Sequence, residues 1–586
     1  MKTTIYAAAL LATVLATHAE ESMDKLWGGP ADPARTNSAA RTQFFQDGNY
    51  GLFMHWGLYS HLGGQWKDQT FYGIGEWIKR QMKIPEAEYM GLAKEFNPVD
   101  FDAKDIVRVA KQAGMKWIII TSKHHEGFAM FKSEHPFNIV DATPFQRDPM
   151  KELAEACRAA GLGFGFYYSH NQDWTAPGGS GGPAKNADGS AATFDQYFKE
   201  KCYPQVKEIC TQYGPLKFVW FDTPGNMPKE HVLALVDLVK SNQPGALMCS
   251  RVGHGLGDYD SKGDMEVPLR NATNLWETCD TTDDSWSYAW YDQNWKDSRE
   301  ILHRLVSTVG RGGTYLLNVG PDGRGRLPEG AVKYLLKAGE WIKRYPQVVY
   351  AAGPSPFGHA LAWGDATTQG KTLHLAVFTW PVDGQLWLPG LQAEIASAAQ
   401  LKPGAAAAPL SWKKEGNWTV FALPPGPPAD RPAAVLAVTL KGDAKGDETL
   451  GIYPNCTSDL PVEFAQVTGA TKKENRWMDK FGEWKFAMQA GAWQPGGKAV
   501  WTVEVAQAGD YYVDLVLKGT GRVAFVIETD EGVKIQNQQA AASLYHAQPF
   551  GLLAFKTPGR HTLTVYPVVR PDDTTSLKAA ILRPAE

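Results

Sequence analysis

Residues 102–125 read DAKDIVRVAKQAGMKWIIITSKHH, and this stretch decides the fold. Its first half spaces apolar residues as a helix does, starts with an aspartate suited to an N-cap and stops at a glycine. Its second half is a continuous apolar run, which is typical of a strand buried on both faces. Residues 148–169, DPMKELAEACRAAGLGFGFYYS, repeat the pattern. The sequence therefore predicts helices that alternate with parallel strands.

Strand-like apolar runs that alternate with helical segments recur between about residues 45 and 345. About 300 residues of this alternation fit an α/β fold, a (β/α)8-like TIM barrel. An open doubly wound sheet is the alternative, although no G-x-G-x-x-G motif opens a helix after the first strand. The runs are YGLFMHWG (50–57), KWIIITSKHH (116–125), GFGFYYS (163–169), KFVWFD (217–222), ALMCSR (246–251) and TYLLNVGP (314–321).

The sequence pattern changes after Tyr350 to short alternating strands that are separated by Gly and Pro. This pattern predicts two antiparallel β-sandwich domains behind the barrel, the second of the jelly-roll type. The predicted domains are a signal peptide at 1–19, a catalytic barrel at 20–350, a small β-sandwich at 351–450 and a jelly-roll domain at 451–586.

The first residues, MKTTIYAAALLATVLATHAEES, have the pattern of a secretory signal peptide. Lys2 supplies the positive charge, an apolar run follows, and Thr17-His18-Ala19 is a small-x-small exit, so cleavage is predicted after Ala19. The run is shorter than a membrane span, and no later stretch reaches the ~20 apolar residues that a span needs. We therefore expect a periplasmic or secreted protein without membrane insertion.

Composition excludes some classes of partner. The 586 residues carry 59 Lys and Arg against 63 Asp and Glu, and no basic tract occurs, which argues against nucleic-acid binding. The 21 tryptophans are available either to fill cores or to stack on sugar rings. No C-x-x-C motif occurs, so the cysteines are expected to be structural or free, and their pairing stays open.

Polar and aromatic residues gather where the predicted strands end. The carboxyl ends of barrel strands form the catalytic face. The run that ends at Asp222 is followed by Thr223-Pro224-Gly225, so an apolar strand leads directly into a carboxylate. The other ends are His55-Trp56, Lys123-His124-His125-Glu126, Tyr167-Tyr168-Ser169-His170 and Ser250-Arg251.

Three chemistries could use such a rim. A metal hydrolase is disfavoured, because H-x-H is absent and the adjacent His124 and His125 are expected to point to opposite faces of a strand. No metal ion is therefore predicted. Hydride transfer lacks a dinucleotide loop, and no cofactor is predicted. Glycoside cleavage needs two carboxyl groups with aromatic and imidazole neighbours, which this rim supplies.

Five motifs in order resemble the α-L-fucosidases of glycoside hydrolase family 29, over residues 45 to 350. They are GLFMHWGLYS (51–60), TSKHHEGFAMFKS (121–133), VWFDTPG (219–225), LWETCDTTDDSWSY (275–288) and TYLLNVGPDGRG (314–325). The resemblance implies a retaining hydrolase of terminal α-L-fucosyl residues of glycans, with Asp222 as nucleophile. It implies a fucose pocket of His55, Trp56, Glu76, Trp77, His124, His125, Tyr168, Trp220 and Arg251.

The acid/base is the open assignment. In this family it lies in a variable loop some 40 residues after the nucleophile, here GDYDSKGDMEVP (257–268). Asp264 is the favoured candidate, and Glu266 and Glu277 are the alternatives. The chain also departs from the family, with Thr223 in place of the common glycine after the nucleophile and Glu126 where Asp is frequent.

Two other hypotheses stay open. One is a noncatalytic fucose-binding lectin, and the other is a retaining glycosidase for a related sugar such as α-L-galactose or β-D-fucose. The last domain resembles galactose-binding-type carbohydrate-binding modules, which leaves sugar binding and a structural or dimer-forming role as alternatives. The linkage preference and the oligomeric state are not predicted.

Overall fold

The computed structural model describes residues 27–32, 39–426, 432–475 and 487–585. The predicted signal peptide and its cleavage site after Ala19 lie outside the described residues. The chain divides into two compact units. The first contains the residues up to Asp264, Thr273–Leu305 and Gly313–Arg344, and the second contains Met265–Ala272, Val306–Gly312 and the residues from Tyr345 onward.

Eight parallel strands form the sheet of the first unit, within its described residues. Their neighbour order is β5-β4-β3-β2-β1-β8-β7-β6, and a parallel bridge between Cys249 and Tyr259 joins the two outer strands. The predicted (β/α)8-like TIM barrel is confirmed. The strands are β1 (Tyr50–Met54), β2 (Trp117–Lys123), β3 (Gly163–Tyr168), β4 (Phe218–Phe221), β5 (Leu247–Met248), β6 (Asp260–Ser261), β7 (Trp276–Thr281) and β8 (Thr314–Val319).

Seven longer helices accompany these strands in the described chain. They are α1 (Ala39–Gly48), α2 (Ala103–Gln112), α3 (Pro149–Ala160), α4 (Tyr203–Gln212), α5 (Lys229–Asn242), α6 (Ser298–Gly310) and α7 (Glu329–Arg344). Asp102 caps α2 by accepting from the backbone N–H groups of Lys104 and Asp105, and Asp148 caps α3. Gly161 ends α3 with φ +73°. The helix starts and stops that the sequence predicts at α2 and α3 are therefore present.

Shorter elements complete the first unit. The one-turn helical segments are Tyr59–Leu62, Gly75–Trp77, Ile78–Gln81, Glu86–Gly91, Leu92–Lys94, Ile139–Ala142, Phe194–Tyr197, the π-helix Phe198–Cys202 and Ser250–Val252, and a small hairpin pairs Gln65–Trp66 with Gln69–Thr70. Of the helices built from described residues, none has both the length and the apolar character that crossing a bilayer requires.

Alternation along the strands decides which side chains enter the barrel. On β4, Phe218 and Trp220 belong to the interior cluster, and on β3 the interior residue is Tyr167. The rest of this cluster comes from helix α1, from the other strands and from loops: Phe45, Phe53, Trp117, Ile119, Leu247, Cys249, Tyr259, Cys279, Trp286 and Leu316. The interior is therefore a packed aromatic core, and it supports the side chains at the carboxyl ends.

The described residues of the second unit form two sandwiches, as predicted. The first contains a five-stranded and a three-stranded antiparallel sheet. The second contains two six-stranded sheets that are antiparallel apart from one short parallel pair, the strand Leu450–Ile452 with the strand Lys498–Val505. The strands of the first are β9 (Gly364–Gln369), β10 (Thr372–Val377), β11 (Gln385–Pro389), β12 (Ile395–Gln400), β13 (Ala408–Pro409), β14 (Trp412–Glu415), β15 (Trp418–Ala422) and β16 (Ala434–Leu440).

The second sandwich has the longer strands. Short 3-10 turns lie at Pro346–Val348, before the first sandwich, and at Val462–Phe464, within the second. Each sandwich has its own apolar core. The strands are β17 (Leu450–Ile452), β18 (Ser458–Pro461), β19 (Gln466–Thr468), β20 (Thr471–Glu474), β21 (Met488–Gly491), β22 (Lys498–Val505), β23 (Gly509–Lys518), β24 (Arg522–Thr529), β25 (Lys534–Ala540), β26 (His546–Phe555), β27 (Gly559–Pro567) and β28 (Ser576–Pro584).

Candidate active site

Asp222 directly follows β4 at the carboxyl-terminal mouth of the barrel, with 11% of its side chain exposed. It continues the inward alternation of Phe218 and Trp220, so its carboxylate lies on top of the interior aromatic layer. Oδ2 accepts from the Tyr167 hydroxyl at 2.9 Å, and Oδ1 accepts from Arg251 Nη1 at 3.1 Å. The carboxylate is therefore fixed on both oxygens and still reachable from the mouth.

Arg251 joins two candidate catalytic carboxylates. Its Nη2 donates to Asp264 Oδ1 at 2.7 Å and to the Lys262 carbonyl at 2.9 Å, while Nη1 binds Asp222. Two oxygens bound to the two ends of one guanidinium lie within about 8 Å of each other. The carboxyl groups of retaining glycosidases are ~5 to 5.5 Å apart, a separation that falls within this limit.

The guanidinium of Arg251 lies between two tryptophans. Its central carbon is 4.8 Å from the Trp27 ring and 5.0 Å from the Trp220 ring, and its side chain is 3% exposed. Trp27 precedes the barrel in sequence and carries no motif, so nothing in the sequence indicated that it belongs to the site. Gly28 lets the chain pass this point, because it has φ +87° and a Cβ there would lie 2.9 Å from the Gly253 Cα.

The three predicted histidines cluster beside Asp222. The ring centroids of His124 and His125 are 4.1 Å apart, and those of His55 and His124 are 5.5 Å apart. His125 Nε2 lies 3.6 Å from Asp222 Oδ2. The expectation that His124 and His125 point to opposite faces is wrong, because β2 has a register irregularity between Thr121 and Lys123 and ends at Lys123, before either histidine.

Burial keeps these imidazoles neutral. Burial is the main cause that lowers the pKa of His55 to about 4 and the pKa values of His124 and His125 well below their usual range. His55 Nδ1 is 2.7 Å from Asn318 Oδ1, while Asn318 Nδ2 donates to the Trp286 carbonyl. In a neutral ring with Nδ1–H donating to Asn318, Nε2 of His55 is an acceptor, suited to a ligand hydroxyl.

Tyr167, and not the predicted Tyr168, reaches the site. The Tyr168 hydroxyl donates to Gln205 Oε1 at 2.9 Å, on the other side of β3. Tyr167 stacks on Trp220 with ring centroids 5.4 Å apart, and its hydroxyl donates to Asp222. The correction follows from strand alternation, since neighbouring residues of a strand face opposite sides and one register step exchanges them.

Trp56 is the second predicted pocket residue that lies away from the site. Its ring stacks on Phe101 with centroids 5.1 Å apart, and its indole N–H donates to the Asp322 carbonyl. The residue before it in β1's extension, His55, takes the inward position instead. Trp56 therefore packs outside the cluster around Asp222, again because adjacent residues alternate.

Glu76 and Trp77 enter the site from the short helical turn that follows the small hairpin. Glu76 Oε2 accepts from the Ser287 backbone N–H at 3.1 Å, and burial is the main cause that raises the pKa of Glu76 to about 8. The Trp77 ring lies 5.6 Å from His125 and 5.1 Å from Trp174. Both predicted residues are therefore next to the histidine cluster or the loop that faces it.

The three acid/base candidates occupy different places. Asp264 shares Arg251 with Asp222, and its pKa is raised by burial and by the Asp222 charge, against the opposing effect of Arg251. Glu277 accepts from the Trp220 indole N–H at 2.9 Å, and burial raises its pKa to about 8. Glu266 belongs to the second unit, where its charge acts on Glu463. Asp264 is the candidate that the structure brings close to Asp222.

Thr223 stores strain directly after Asp222. Its φ of +44° lies in the left-handed region, which a β-branched residue rarely adopts. Gln172 Nε2 donates to its Oγ1 at 3.0 Å and Asn171 Nδ2 lies 3.4 Å from its carbonyl oxygen. Backbone strain of this kind concentrates at functional sites. A glycine at this position would adopt the same conformation without that strain.

The site has no grouping for a metal among the residues that the structure describes. No three His, Cys, Asp or Glu side chains there are arranged so that they could hold an ion. Site residues that the sequence analysis did not assign to the sugar pocket are Trp27, Tyr167, Ser169, Trp174, Trp286 and Asn318. Of these, inward alternation on β3 and β8 is the signal that could have identified Tyr167 and Asn318.

Comparisons with known proteins agree on one family. Residues 24–347 match the family model described as alpha-L-fucosidase. The chain is 27% identical to the alpha-L-fucosidase of Dictyostelium discoideum over 390 residues, which is 60% of this chain and 81% of that protein. It is also 27% identical to human plasma alpha-L-fucosidase over 409 residues, which is 65% of this chain and 85% of that protein.

Solved structures extend the similarity to most of the chain. The alpha-L-fucosidase from Vibrio sp. strain EJY3 has a TM-score of 0.75 and 27% sequence identity, and the match covers 93% of this chain and 98% of that one. Isoenzyme 1 from Paenibacillus thiaminolyticus has a TM-score of 0.61 and 29% identity, with 68% of this chain and 99% of that chain covered.

Proposed function

The chain belongs to the alpha-L-fucosidase family, and from this premise we propose that it hydrolyses terminal α-L-fucosyl residues of glycans with retention of configuration, through a covalent ester on Asp222. The observation that carries the proposal is the shared guanidinium of Arg251, which joins Asp222 and Asp264 at the barrel mouth. In this proposal Asp222 attacks the sugar and Asp264 transfers the proton.

In the first step, an oxygen of Asp222 attacks C1 of the fucosyl unit while the bond from C1 to the leaving oxygen breaks. Asp264 donates its proton to that leaving oxygen. Arg251 and the Tyr167 hydroxyl both donate to Asp222, which fixes the orientation of its carboxylate. Burial and the Asp222 charge raise the pKa of Asp264, as a general acid requires.

In the second step, water attacks C1 and the ester bond to Asp222 breaks. Asp264, now a carboxylate, takes a proton from that water, and fucose leaves with its original configuration. Formation of the ester removes the negative charge of Asp222 and leaves Arg251 paired with Asp264. The same arginine therefore favours the charged form of Asp264 when it must act as base.

The histidines suit recognition of the sugar hydroxyls. Neutral His55 has its Nδ1 bound to Asn318, and His125 has its Nδ1 bound to Ser169 Oγ at 2.7 Å. Ser169 Oγ donates onward to the Gln172 carbonyl, so it accepts from His125. Each ring then presents Nε2 as an acceptor, and Trp77 and Trp286 supply apolar faces beside them.

The proposal is tested with azide and an aryl α-L-fucoside. Asp264→Ala is expected to lose turnover and to regain it with azide, with release of α-L-fucosyl azide, because azide replaces the water that Asp264 activates. Asp222→Ala is expected to give the β-azide instead, since azide then replaces the nucleophile. Glu266→Ala and Glu277→Ala are the matched controls. If azide restores turnover in either of them with release of α-L-fucosyl azide, that residue is the acid/base in place of Asp264.

Labelling tests the covalent step and the competing hypotheses. A 2-fluoro-fucosyl reagent is expected to label Asp222, and the label on another residue would contradict the assignment. Wild-type protein that binds fucose but never turns over an aryl fucoside would support the lectin hypothesis. Faster turnover of an aryl α-L-galactoside than of the α-L-fucoside would support the related-sugar hypothesis.

We also propose that the chain is exported to the periplasm or the medium. The support is the order of a basic start, an apolar run and a small-x-small exit at residues 1–19. Expression of the full-length chain in a bacterium, followed by N-terminal sequencing of the periplasmic fraction, is expected to give a chain that begins at Glu20. Retention in the cytoplasm with Met1 or Lys2 at its start would contradict this proposal.

A further inference from the structure

A second concave surface lies at the same end of the barrel as Asp222. It is a cavity of about 620 Å³ formed by the loops that follow β1, β7 and β8, together with residues 95–99. We call it the rim groove. Its principal lining residues are His61, Glu95, Val99, Tyr288, Trp290 and Arg324.

The exposed apolar side chains of the first unit concentrate around the rim groove. In the described part of that unit, the exposed large hydrophobic residues are Tyr72, Val99, Leu233 and Trp290, at 66%, 51%, 39% and 51% exposure. Val99 and Trp290 line the groove, and Tyr72 joins Trp290 through the ring of Tyr291. Exposed apolar residues gathered at one concave place indicate a binding surface.

Contacts within the protein position Trp290. Its backbone N–H donates to the Gly63 carbonyl at 2.9 Å. Its ring meets Tyr291 edge-on, with centroids 6.0 Å apart and an angle of 88°, and the Tyr291 hydroxyl donates to the Phe71 carbonyl at 2.6 Å. A platform fixed in this way loses little conformational freedom when a ligand stacks on it.

The polar side chains of the groove supply both donors and acceptors. His61 lies 3.8 Å from Glu95, and Arg324 pairs with Asp100 at 2.6 Å. Another lining carboxylate, Asp322, pairs with a neighbouring arginine, so hydrogen-bonding groups of both kinds surround a half-exposed indole and most of the charges are paired. This combination fits a neutral ligand with apolar ring faces and many hydroxyl groups, which is a saccharide.

One loop connects the groove with the active site. Trp286 lies 5.1 Å from His55, and the Ser287 backbone N–H donates to Glu76. Tyr288 and Trp290 follow on the same loop and line the groove. We propose that the rim groove binds the neutral oligosaccharide to which the fucose is attached, with Trp290 as its stacking platform. This inference rests on the proposed fucosidase activity and names its leaving group.

The test compares a large with a small leaving group. Fucosylated N-acetyllactosamines with 1,2-, 1,3- and 1,6-linked fucose are compared with an aryl α-L-fucoside, and the fastest oligosaccharide is used for the variants. Trp290→Ala is expected to lower kcat/KM for that oligosaccharide roughly five- to twentyfold and to leave the aryl fucoside within about twofold. Trp290→Phe is expected to recover most of the loss because it keeps an aromatic face.

Trp412→Ala is the matched control. Trp412 is also exposed, at 38%, and it belongs to β14 of the second unit. It is expected to change neither substrate. The inference is overturned if Trp290→Ala affects both substrates equally or neither, or if the wild type cleaves the aryl fucoside and none of the oligosaccharides. Wild type that cleaves no fucoside at all refutes the proposed function itself.

Discussion

Arg251 is the side chain on which both catalytic candidates depend, and Trp27 covers one face of it. The Trp27 ring is 7% exposed and lies 4.8 Å from the guanidinium carbon. The ring excludes water from a cation that binds Asp222 and Asp264 at once. Exclusion of water strengthens both ion pairs and limits the positions that the guanidinium can adopt.

Replacement of Trp27 should therefore alter catalysis without any contact to the reacting atoms. Trp27→Ala is expected to lower kcat roughly tenfold, the scale of a buried cation–π contact. It should also displace the pH–rate profile, because Arg251 affects the pKa of Asp264. Trp27→Phe should restore both values. A variant with a lower Tm and an unchanged pH profile would indicate a structural role only.

Glu126 permits a prediction about stability and pH. It lies 3.9 Å from His124 Nδ1, and burial is the main cause that raises its pKa from 4.5 to about 8. Between these two values the folded state keeps a proton that the unfolded state has released. The free energy of unfolding therefore falls as pH rises through this window, by an amount on the order of a few kcal/mol.

Glu126→Gln removes this titration and keeps the shape of the side chain. The Tm of the variant relative to the wild type is expected to increase between about pH 5 and about pH 8. The comparison with the wild type matters, because Glu76 and Glu277 have pKa values raised in the same direction. A difference in Tm that stays constant with pH would contradict the assignment of a protonated Glu126.

Residue positions were predictable where a motif and a strand end coincide, as at Asp222, His55 and Arg251. They were not predictable where a shift of one residue in strand register decides which side of the sheet a side chain faces. Tyr167 and Tyr168 are chemically identical neighbours, and only the pleat of β3 directs one to Asp222 and the other to Gln205. Trp27 was out of reach for another reason, since its contact with Arg251 spans more than two hundred residues of sequence.

At the scale of elements, the loop after β3 depends on a buried ion network. Asp173 Oδ2 lies 3.1 Å from Lys123 Nζ and 2.8 Å from Lys201 Nζ, and the Asp173 and Lys123 side chains are fully buried. Although burial alone would raise the pKa of Asp173, the two lysines lower it well below its usual range. The same loop carries Trp174, whose ring lies 5.5 Å from His125.

Loss of the central charge should disturb both the fold and the site. Asp173→Asn leaves two buried ammonium groups without their anion, which is expected to cost about 3 to 5 kcal/mol of stability. Thermal unfolding measures this loss, and kcat should fall because Trp174 and His125 move. Asp195→Asn is the control, since Asp195 pairs with Lys199 at the surface and its removal should change little. Equal effects of the two substitutions would contradict a structural role for the network.

Helices and strands were predicted well where they are long enough to show a repeating pattern of apolar residues. The α2 and β2 stretch shows its caps, its apolar stripe and its buried strand directly in sequence. β6 has only the two residues Asp260–Ser261, and no strand-like run in the sequence predicted it. Two residues carry no alternation, so this strand exists because its neighbours in the barrel offer hydrogen-bonding edges. The parallel bridge between Cys249 and Tyr259 at this place is equally invisible in sequence.

At the scale of the whole molecule, burial separates the tryptophans into two groups. Among the described residues, ten of them are fully buried and fill cores in both units. Trp290 and Trp412 are exposed instead. Composition could not assign either role to a particular tryptophan, because burial is decided by the strand or loop that carries it.

The cysteines provide the last prediction, because a chain exported as proposed would meet oxidising conditions. All six are within the described residues, are buried, and form no disulfide. Burial raises the pKa values of Cys157, Cys202, Cys210 and Cys456 to about 12, so their reactive thiolate forms are scarce at neutral pH. Two thiols also have carbonyl partners, since Cys249 Sγ donates to Phe221 and Cys202 Sγ to His170.

Protein purified from the periplasm without reductant is therefore expected to contain six thiols. A thiol-specific chromogenic reagent should react with none of them in the folded protein and with all six in denaturant, since unfolding removes the burial that protects them. The Tm should be the same with and without reductant, because no disulfide constrains the unfolded chain. Fewer than six thiols in denaturant, with a Tm that falls on reduction, would mean that export rearranges the packing around at least one pair.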